Sequence, residues 1–398
     1  MAGRKKKILM LTAWASRRNG GIFESLRRQC RALVDDGRFE VEVLAARDRH
    51  FEADLPRWEG VPVRGLPHRG PEFLGFAPGL LKAMLESGAD LLHLQGLWGT
   101  HSWAAHRWKR ATGRPLVLSP HSHLNPAGLA HRAAFKRLIN AAYQESLLRS
   151  CGALHAVSDE EARGIRAFGL TQPLFRIPYG IDPAPGPAPR RAGGEKILLF
   201  LGRINPLKGL EPLLRGWARA RPGGRDWRLV VAGWEDAPGY LKRLKRLAQG
   251  LGLEGSVSFQ GPKFGDEKDR LLRRSRAFIL PSVTEGLPVS LLEALTWRLP
   301  VLATPACNLP EAFQAGAGIP LAPGAAGVAE GLSRLFALGP AALDGMGRRG
   351  AALARDRFDW RRIAARWARV YAWQLGQGRR PEFVSQPGSR RGGGRGWS

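Results

Sequence analysis

Four charged residues in the second half of the chain, two cations and two acids, have types and spacings that could form a ligand site. Two of them, Arg203 and Lys208, lie in the segment 201–209, Leu-Gly-Arg-Ile-Asn-Pro-Leu-Lys-Gly, between an apolar and an amphipathic run. A forked guanidinium and a compact ammonium beside the free N–H groups of a helix N-terminus can together bind a diphosphate. The strand–loop–helix context favours this role over that of two solvated cations.

The other two are Glu285 and Glu293, eight residues apart in Glu-Gly-Leu-Pro-Val-Ser-Leu-Leu-Glu. Eight helical residues span roughly 12 Å, which exceeds the roughly 5–9.5 Å between the carboxyl groups of a paired-carboxylate glycosidase. The two acids therefore contact different parts of one ligand, or one of them is structural. Backbone N–H groups between them, at Gly286, Leu287 and Val289, are predicted to form an anion-binding nest.

The elements that position these residues alternate regularly. Apolar, β-rich runs alternate with runs of helical period in both halves, which predicts an α/β fold with parallel sheets. The predicted strands are Ile8–Ala13, Glu40–Ala45, Leu91–Leu94, Leu116–Ser119, Ala153–Val157, Phe175–Ile177, Lys196–Leu201, Arg228–Ala232, Val257–Gln260, Ala277–Pro281 and Val301–Thr304. Two doubly wound domains of this kind are expected to form a central cleft at the carboxyl ends of both sheets.

Composition shifts predict where the domains end. The Pro-rich stretch 182–189 cannot continue a helix or a central strand, so it is read as a linker between domains over 1–186 and 190–355. Apolar residues at helical spacing predict a long amphipathic helix over 358–375. The Gly-, Arg- and Pro-rich residues 376–398 are predicted to be a disordered basic tail.

The overall composition excludes several classes of protein. Hydrophobic residues make up 44% and charged residues 24%, which excludes a largely disordered chain. The three cysteines have no Cys-x-x-Cys spacing, which argues against a disulfide scaffold or a structural zinc site. The sequence has no apolar run of about 18 residues, so no transmembrane helix is predicted. A cytoplasmic protein is expected.

The chain is strongly basic, with 62 Lys or Arg against 34 Asp or Glu among 398 residues, a net charge of +28. Residues 101–150 contain eight basic residues and a single acid, Glu145. This charge reflects either genome composition or attraction to an anionic surface, such as the inner face of the plasma membrane or a phosphate-bearing acceptor. A nucleic-acid-binding protein is a weaker alternative, because no recognised binding module accompanies the charge.

The pattern Gly-Arg-x4-Lys-Gly followed by Glu-x7-Glu resembles the hallmark of the retaining, nucleotide-sugar-dependent glycosyltransferases of family 4. The resemblance extends from Ile8 to about Leu375 and implies the GT-B fold, with two Rossmann-like domains. It implies that the first domain binds the acceptor, that the second binds the nucleotide sugar, and that the final helix crosses back to brace the first. The implied reaction is sugar transfer from a nucleoside diphosphate sugar, such as UDP- or GDP-sugar, with net retention.

Carried over position by position, the resemblance gives the four charged residues donor-binding roles. Arg203 and Lys208 would hold the diphosphate, and Glu285 would contact the hydroxyls of the donor sugar. Glu293 would bind the ribose hydroxyls. The backbone N–H groups next to Glu285 would complete the set, namely those of Gly286 and Leu287.

In the first domain, Asn19-Gly20-Gly21 resembles the family's Gly-Gly loop, whose bare backbone approaches the donor. Ser119-Pro-His-Ser-His-Leu resembles a Ser-Pro-His-Gly-Met segment of members that build bacterial surface polysaccharides, and His121 matches the family's active-site histidine. We therefore group His121 with Arg203, Lys208 and Glu285 as predicted catalytic residues.

Acceptor contacts are predicted from two first-domain segments. His93 and Trp98 belong to His-Leu-Gln-Gly-Leu-Trp, which resembles a segment lining the cleft, and His123 follows the active-site histidine. The chain departs from the family pattern at His123, where Met is usual, and at Tyr179, where Asn is common. The expected acceptor is a glycan or a lipid-linked sugar of bacterial polysaccharide or glycolipid assembly.

No Asp-x-Asp pair occurs in the sequence, although sugar transferases of the other major fold use that pair to hold a divalent cation. Cationic side chains and helix N-termini would neutralise the leaving diphosphate instead, so no metal or other cofactor is expected. An epimerase acting on a sugar nucleotide, or a phosphorylase, would share the fold and stays an alternative. The donor base, the donor sugar, the linkage and the oligomeric state are not encoded in these motifs.

Overall fold

Two units, each built on a parallel sheet, make up the computed structural model of the chain. It describes residues 4–70, 75–125, 128–129, 132–185, 196–220 and 226–385. The first unit comprises Met1–Gly180 together with Trp360–Ser398, and the second comprises Ile181–Asp359. The predicted boundaries at 186 and 190 lie outside the described residues.

The strands of the first unit begin directly after the basic N-terminal residues. In chain order they are β1 Lys7–Trp14, β2 Glu40–Arg47, β3 Val63–Pro67, β4 Leu91–Gln95, β5 Leu116–Ser119, β6 Ala153–Ala156 and β7 Leu174–Arg176. Those of the second unit are β8 Lys196–Leu201, β9 Trp227–Ala232, β10 Val257–Phe259, β11 Ala277–Leu280, β12 Val301–Ala303 and β13 Gly318–Pro320. A last strand, β14 Val384–Ser385, belongs to the first unit.

Helices connect most of these strands. Those of the first half are α1 Gly21–Asp36, α2 Phe51–Asp54, α3 Leu80–Glu86, α4 Thr100–Thr112, α5 Ala133–Ile139, α6 Glu145–Ser150 and α7 Asp159–Ala167. Those of the second half are α8 Leu210–Ala220, α9 Tyr240–Gly250, α10 Gly265–Arg274, α11 Val289–Thr296, α12 Pro310–Gln314, α13 Gly324–Phe336, α14 Pro340–Phe358 and α15 Trp360–Gln374. Among the described helices, none has both the length and the apolarity needed to cross a bilayer.

The sheet of the first unit has the strand order β14-β7-β6-β5-β4-β1-β2-β3, and that of the second β10-β9-β8-β11-β12-β13. Neighbouring strands are parallel, except that β14 pairs antiparallel with β7. Chain connections change direction at β1 and β8, so the loops after these strands and their neighbours share one sheet edge. The predicted fold class, two Rossmann-like α/β domains, is confirmed, and the cleft between them stays a prediction.

Helix α1 shows how the sequence sets these elements. Gly20, with a φ of 55°, precedes it, and Gly37 ends it in the left-handed conformation while its N–H donates to the carbonyl of Leu33. Phe23, Leu26, Cys30 and Leu33 recur at helical spacing and are buried against the sheet.

The C-terminal helix differs from its prediction at its start. Asp359 is extended and separates α14 from α15, so Phe358 belongs to the preceding helix, which the sequence reading missed. The apolar face of α15, which includes Ile363, Trp367 and Tyr371, is buried in the core of the first unit together with residues of α1.

Part of the predicted disordered tail is ordered, which corrects that prediction for residues 376–385. Phe383 is buried there, with the guanidinium carbons of Arg366 and Arg369 at 4.6 and 5.3 Å from its ring centre. It leads into β14, which pairs with β7. The remainder of the predicted tail, residues 386–398, lies outside the described residues.

Candidate functional site

Lys208 and Glu285 meet at the carboxyl edge of the second sheet. Strands β8 and β11 are neighbours, so the loops that follow them lie side by side. The Nζ atom of Lys208 is 2.5 Å from Oε1 of Glu285, and the two side chains are 13% and 11% exposed. The hydroxyl of Ser282 donates to the same carboxylate oxygen at 2.7 Å. Two predicted site residues thus form one nearly buried ion pair.

The loops that carry this pair are joined through the backbone. The N–H of Val283 donates to the carbonyl of Leu207 at 2.8 Å. The side-chain amide of Asn308 donates to the backbone carbonyl of Glu285 at 2.7 Å. Gly209 has a φ of 68°, and a Cβ at this position would lie 2.0 Å from the carbonyl oxygen of Pro281. A glycine here therefore allows the two loops to approach closely.

Arg203 lies in a second cluster at the same edge. Its guanidinium Nη1 is 2.8 Å from Oδ2 of Asp236, which follows β9, and the Arg203 side chain is half-exposed. The amide of Asn205 donates to the same carboxylate oxygen at 3.0 Å. The sequence analysis missed Asp236, although its position just after a buried strand, in Gly-Trp-Glu-Asp, was a usable signal.

Glu293 lies on α11 and pairs with a residue that the sequence analysis also missed. The Nζ atom of Lys268, on α10, is 2.5 Å from Oε1 of Glu293, and both side chains are about three-quarters buried, at 28% and 21% exposure. The position of α10 relative to α11 depends on the tertiary fold. No short-range pattern in the sequence connects the two residues.

Each predicted donor-binding cation or acid is thus held by an opposite charge. An ammonium carries three N–H donors and a guanidinium five, so Lys208 and Arg203 can add phosphate oxygens to their present partners. In the part of the chain that the structure describes, the N–H groups of Gly286 and Leu287 donate to no protein acceptor. The edge therefore offers cations and backbone donors for an anion, with carboxylates beside them for hydroxyl groups.

Among the residues that the structure describes, no three His, Cys, Asp or Glu side chains are arranged to hold a metal ion.

In the first unit, His121 is the centre of a hydrogen-bonded chain. Its Nε2 lies 2.7 Å from Oε1 of Gln95, which can only accept, so Nε2 carries the proton. Its Nδ1 therefore accepts from the hydroxyl of Tyr179 at 3.1 Å. Burial lowers the pKa of His121 well below its usual range, and the nearby His155 and His123 lower it further. His121 is thus neutral and holds the carboxamide of Gln95 in one orientation.

The turn that carries His121 is strained and is held by a buried acid. His121 and Ser122 both have positive φ angles, 53° and 64°, which are uncommon for residues with side chains. Glu161 accepts from the N–H of Ser122 at 2.5 Å and from the N–H of Val157 at 2.8 Å. Burial raises the pKa of this carboxyl group. Glu161 is a further residue that the sequence analysis missed.

The three predicted acceptor residues have different positions. Trp98 and His123 line a cavity of about 350 Å³ in the first unit. His93 is completely buried, with Nδ1 2.8 Å from the hydroxyl of Tyr371 and Nε2 2.8 Å from that of Ser119. Both ring nitrogens are therefore used to join β4 to α15 and β5. The prediction that His93 contacts an acceptor is wrong.

The Gly-Gly loop of the first unit lies where it was predicted, between β1 and α1. Gly20 and Gly21 have open space where a Cβ would be, so bare backbone is accessible there. Asn19, just before them, donates from its amide to the hydroxyl of Thr12 and to the carbonyl of Trp14, at 2.8 and 2.9 Å. Those bonds fix the loop at the end of β1.

Comparison with known proteins shows matches along most of the chain. The family model described as Glycosyltransferase Family 4 matches residues 19–185, and the model described as Glycosyl transferases group 1 matches residues 187–346. D-inositol 3-phosphate glycosyltransferase of Streptomyces bingchenggensis is 31% identical over 348 residues, which cover 81% of this chain and 75% of that protein. GDP-mannose:cellobiosyl-diphosphopolyprenol alpha-mannosyltransferase of Xanthomonas oryzae is 26% identical over 86% of each chain.

Solved structures share the fold. HepE from Anabaena, in complex with UDP and glucose, matches with a TM-score of 0.74 and 19% identity, covering 92% of this chain and all of that one. A glycosyltransferase from Rickettsia africae matches with a TM-score of 0.76 and 16% identity, covering 94% and 99%.

Proposed function

The chain belongs to glycosyltransferase family 4, and on this premise we propose that it transfers a hexose from a nucleoside diphosphate sugar, with retention and without a metal. The observation that carries the proposal is the Lys208–Glu285 pair at the carboxyl edge of the second sheet. In this pair, a cation of the kind that binds a diphosphate lies next to an acid of the kind that binds sugar hydroxyls. Arg203 and the N–H groups of Gly286 and Leu287 add donors at the same edge.

These groups would act on the bond that breaks. As the anomeric C–O bond lengthens, negative charge grows on the diphosphate and positive charge on the sugar ring. Lys208 and Arg203 stabilise the first through charge-assisted hydrogen bonds in a partly dry site. Glu285 accepts from sugar hydroxyls and holds the ring, while Glu293 accepts from the ribose. The acceptor hydroxyl attacks the anomeric carbon from the face that the diphosphate leaves, and the departing diphosphate oxygen takes its proton.

The proposed acceptor is a glycan or a lipid-linked sugar. The name of the Xanthomonas relative specifies an acceptor with a diphosphate and a polyprenol, and basic residues concentrate in the first unit between residues 101 and 150. Such acceptors belong to bacterial polysaccharide or glycolipid assembly.

The donor half of the proposal, binding of a nucleoside diphosphate sugar, is tested by a thermal-shift screen with UDP, GDP, ADP and their sugars. We expect one nucleoside diphosphate to stabilise the protein by about 2.7 kcal/mol at 100 times its dissociation constant, and UDP is the first choice because HepE was solved with it. The nucleosides without phosphate are the control, and they should have a much smaller effect. A well-folded protein that responds to none of the nucleotides would refute the donor proposal.

Transfer is expected to be independent of divalent cations. Arg203, Lys208 and backbone N–H groups would neutralise the leaving diphosphate, so no step requires a metal. Transfer rates measured with EDTA and with added magnesium or manganese should agree within experimental error. Strict dependence on either ion would contradict this prediction.

Exposed residues of two helices in the first unit, α4 and α5, support peripheral contact with an anionic membrane. On α4, Trp103 is 41% exposed and is followed at helical spacing by the exposed Arg107 and Arg110. On α5, the exposed Arg137 precedes Leu138, which is 68% exposed. Aromatic and apolar side chains beside cations are suited to the interface of a membrane with acidic headgroups.

Sedimentation with vesicles tests this contact. The chain should bind vesicles containing phosphatidylglycerol at moderate salt and bind neutral vesicles much less. The variant Trp103→Ser/Arg107→Ala/Arg110→Ala should lose most of this binding. The control Lys242→Ala/Arg246→Ala removes the same charge from α9 of the second unit and should bind normally. Equal binding by both variants would show that the effect is net charge and not these residues of α4.

A further inference from the structure

The cavity of the first unit has the size and position of a ligand subsite. It lies among the loops that follow β1, β4 and β5, at the carboxyl edge of the first sheet. Its volume of about 350 Å³ is at the lower end of the range, about 300–1,000 Å³, of small-molecule pockets. The rings of Trp14, Trp98 and Phe135 form much of its wall. Flat apolar rings of this kind suit the C–H faces of a sugar.

Three deeply buried side chains in this wall have polar atoms without a protein partner. They are Nε2 of Gln95, Nε1 of Trp98 and Nε2 of His101, in residues that are 2%, 8% and 5% exposed. An unpaired buried polar atom is costly, so such atoms are normally paired. Hydroxyl groups both donate and accept, so a polyhydroxylated ring that reaches these atoms can pair with them.

The orientation of one of these groups is fixed from behind. The His121 ring, held by Tyr179, donates to Oε1 of Gln95. This hydrogen bond uses the oxygen of the carboxamide and leaves its NH₂ group as the donor in the cavity wall. Tyr179, which departs from the family pattern, therefore acts on the cavity through His121 and Gln95.

A neutral donor lies close by. The N–H of Leu97 donates to Nδ1 of His123 at 3.0 Å, so Nε2 carries the proton in the neutral ring. Burial and the nearby Lys136 lower the pKa of His123 to about 4, which keeps the ring neutral at physiological pH.

The cavity also favours negative charge. Lys136 and Arg132 line it, and none of the described residues that line it is Asp or Glu. Lys136 donates to the carbonyl of Gly128, and its Nζ is 5.7 Å from the centre of the Trp98 ring. Two of its three N–H donors are left for a ligand. Burial and Arg132 lower the pKa of Lys136, so an anion beside it would relieve an unfavourable charge.

We propose that this cavity binds a sugar unit of the acceptor that carries an anionic group. The ring stacks on Trp98 and its hydroxyls pair with Gln95 and His101, while the anionic group contacts Lys136. That group is a phosphate at the anomeric carbon or the carboxylate of a uronic acid. The proposal rests on the glycosyltransferase function proposed above and adds the chemical class of the acceptor.

Saturation-transfer difference NMR on the full chain tests the proposal. The probes are the 1-phosphates of glucose, galactose and mannose, the corresponding methyl glycosides, and glucuronate. UDP and GDP are added in excess, so that sugar phosphates do not report on the donor site. We expect at least one anionic sugar to bind, with a dissociation constant at least about tenfold lower than that of its neutral counterpart. The phosphate and uronate arms distinguish the two sources of charge.

Two variants separate the contribution of the sugar ring to binding from that of the anionic group. Lys136→Met should weaken the binding of the anionic probe about tenfold, to the affinity of the methyl glycoside. It should leave the binding of the methyl glycoside unchanged. Trp98→Leu should weaken both kinds of probe. The matched control is Arg137→Met, which removes the neighbouring cation of the same helix and should not affect either probe. If Trp98→Leu does not fold, His101→Phe replaces it, with the same expected result.

The outcomes for the subsite and for the proposed function are distinct. Binding of no anionic sugar, or equal binding by Lys136→Met and the unchanged chain, overturns the subsite. The nucleotide thermal shift, measured on the same samples, tests the donor half separately. A normal shift without sugar binding removes only the subsite. Binding of an anionic sugar that Lys136→Met weakens, without any nucleotide shift, keeps the subsite and removes the donor function.

Discussion

Replacing Lys208 by alanine should reduce kcat for sugar transfer by about 10²–10³-fold, the usual loss when one donor to a developing oxyanion is removed. Lys208 contacts Glu285 at 2.5 Å in a nearly buried site, so it affects both ends of the bond that breaks. Its loss removes a charge-assisted donor to the diphosphate. It also leaves the carboxylate that is proposed to hold the sugar ring without its cation.

The same change should destabilise the second unit measurably. Removing one partner of a buried ion pair costs about 3–5 kcal/mol, because the other charge remains buried and unpaired. The residual exposure of this pair and the hydroxyl of Ser282, which still donates to Glu285, should keep the loss near the lower end. Transfer must therefore be measured below the melting temperature of the variant.

The control is Lys196→Ala. Lys196 lies at the amino end of β8, and its Nζ is 2.5 Å from Oδ2 of Asp226, so the variant loses an ion pair of the same length at the opposite edge of the sheet. This pair is more exposed, at 34% and 58%, so the loss of stability should be smaller. Transfer by this variant should be close to normal. Equal loss of transfer by both variants would contradict the assignment of Lys208. Salt-sensitive binding of nucleic acid that survives Lys208→Ala, in a chain without transfer activity, would favour the alternative reading.

The positions of the residues with predicted donor-binding roles could be inferred because they depend on local sequence. Strands β5 and β8 have the predicted bounds, and Arg203 and Lys208 follow β8 within a few residues. In a parallel sheet, residues just past neighbouring strands share one edge whatever the details of packing. The spacing of Glu285 from β11 gave the same information, so the pairing of Lys208 with Glu285 needed little beyond topology.

Partners on different helices were not predictable. Lys268 pairs with Glu293 from the neighbouring helix α10, and nothing local in the sequence specifies this contact. Asp236 differs, because it follows β9 as Arg203 follows the neighbouring β8, so its place at the same edge was a signal that the sequence analysis did not use. His93 shows the converse error. The sequence analysis interpreted this polar residue as one that lines a cleft. In the structure, the hydroxyl of Tyr371, 278 positions later, is its hydrogen-bond partner, and this makes burial of the ring favourable.

The ordered part of the tail illustrates the same limit. Composition predicted disorder from residue 376, yet Phe383 is buried in contact with two arginines of α15. Strand β14, which follows it, extends the first sheet. Composition averages over a segment, whereas a single aromatic side chain with a prepared site can order it.

Replacing Gly209 by alanine should both destabilise the second unit and abolish most transfer. With a φ of 68°, position 209 lies in the left-handed region, where a side chain costs roughly 1–2 kcal/mol. A Cβ would also lie 2.0 Å from the carbonyl oxygen of Pro281, so the two loops would have to separate. That movement would break the hydrogen bond from Val283 to Leu207 and pull Lys208 away from Glu285.

Gly252→Ala separates the backbone strain from the clash. Gly252 belongs to the same unit and has a φ of 64°, but nothing lies within 4 Å of the position that its Cβ would take. Its alanine variant should be destabilised only by the cost of a side chain in the left-handed conformation, and it should keep normal transfer. Gly209→Ala should lower the melting temperature by at least about twice as much and reduce kcat by about 10²-fold or more. Equal melting temperatures and normal transfer in both variants would show that the close approach of the two loops does not position Lys208, and the geometric basis of the donor site would then be lost.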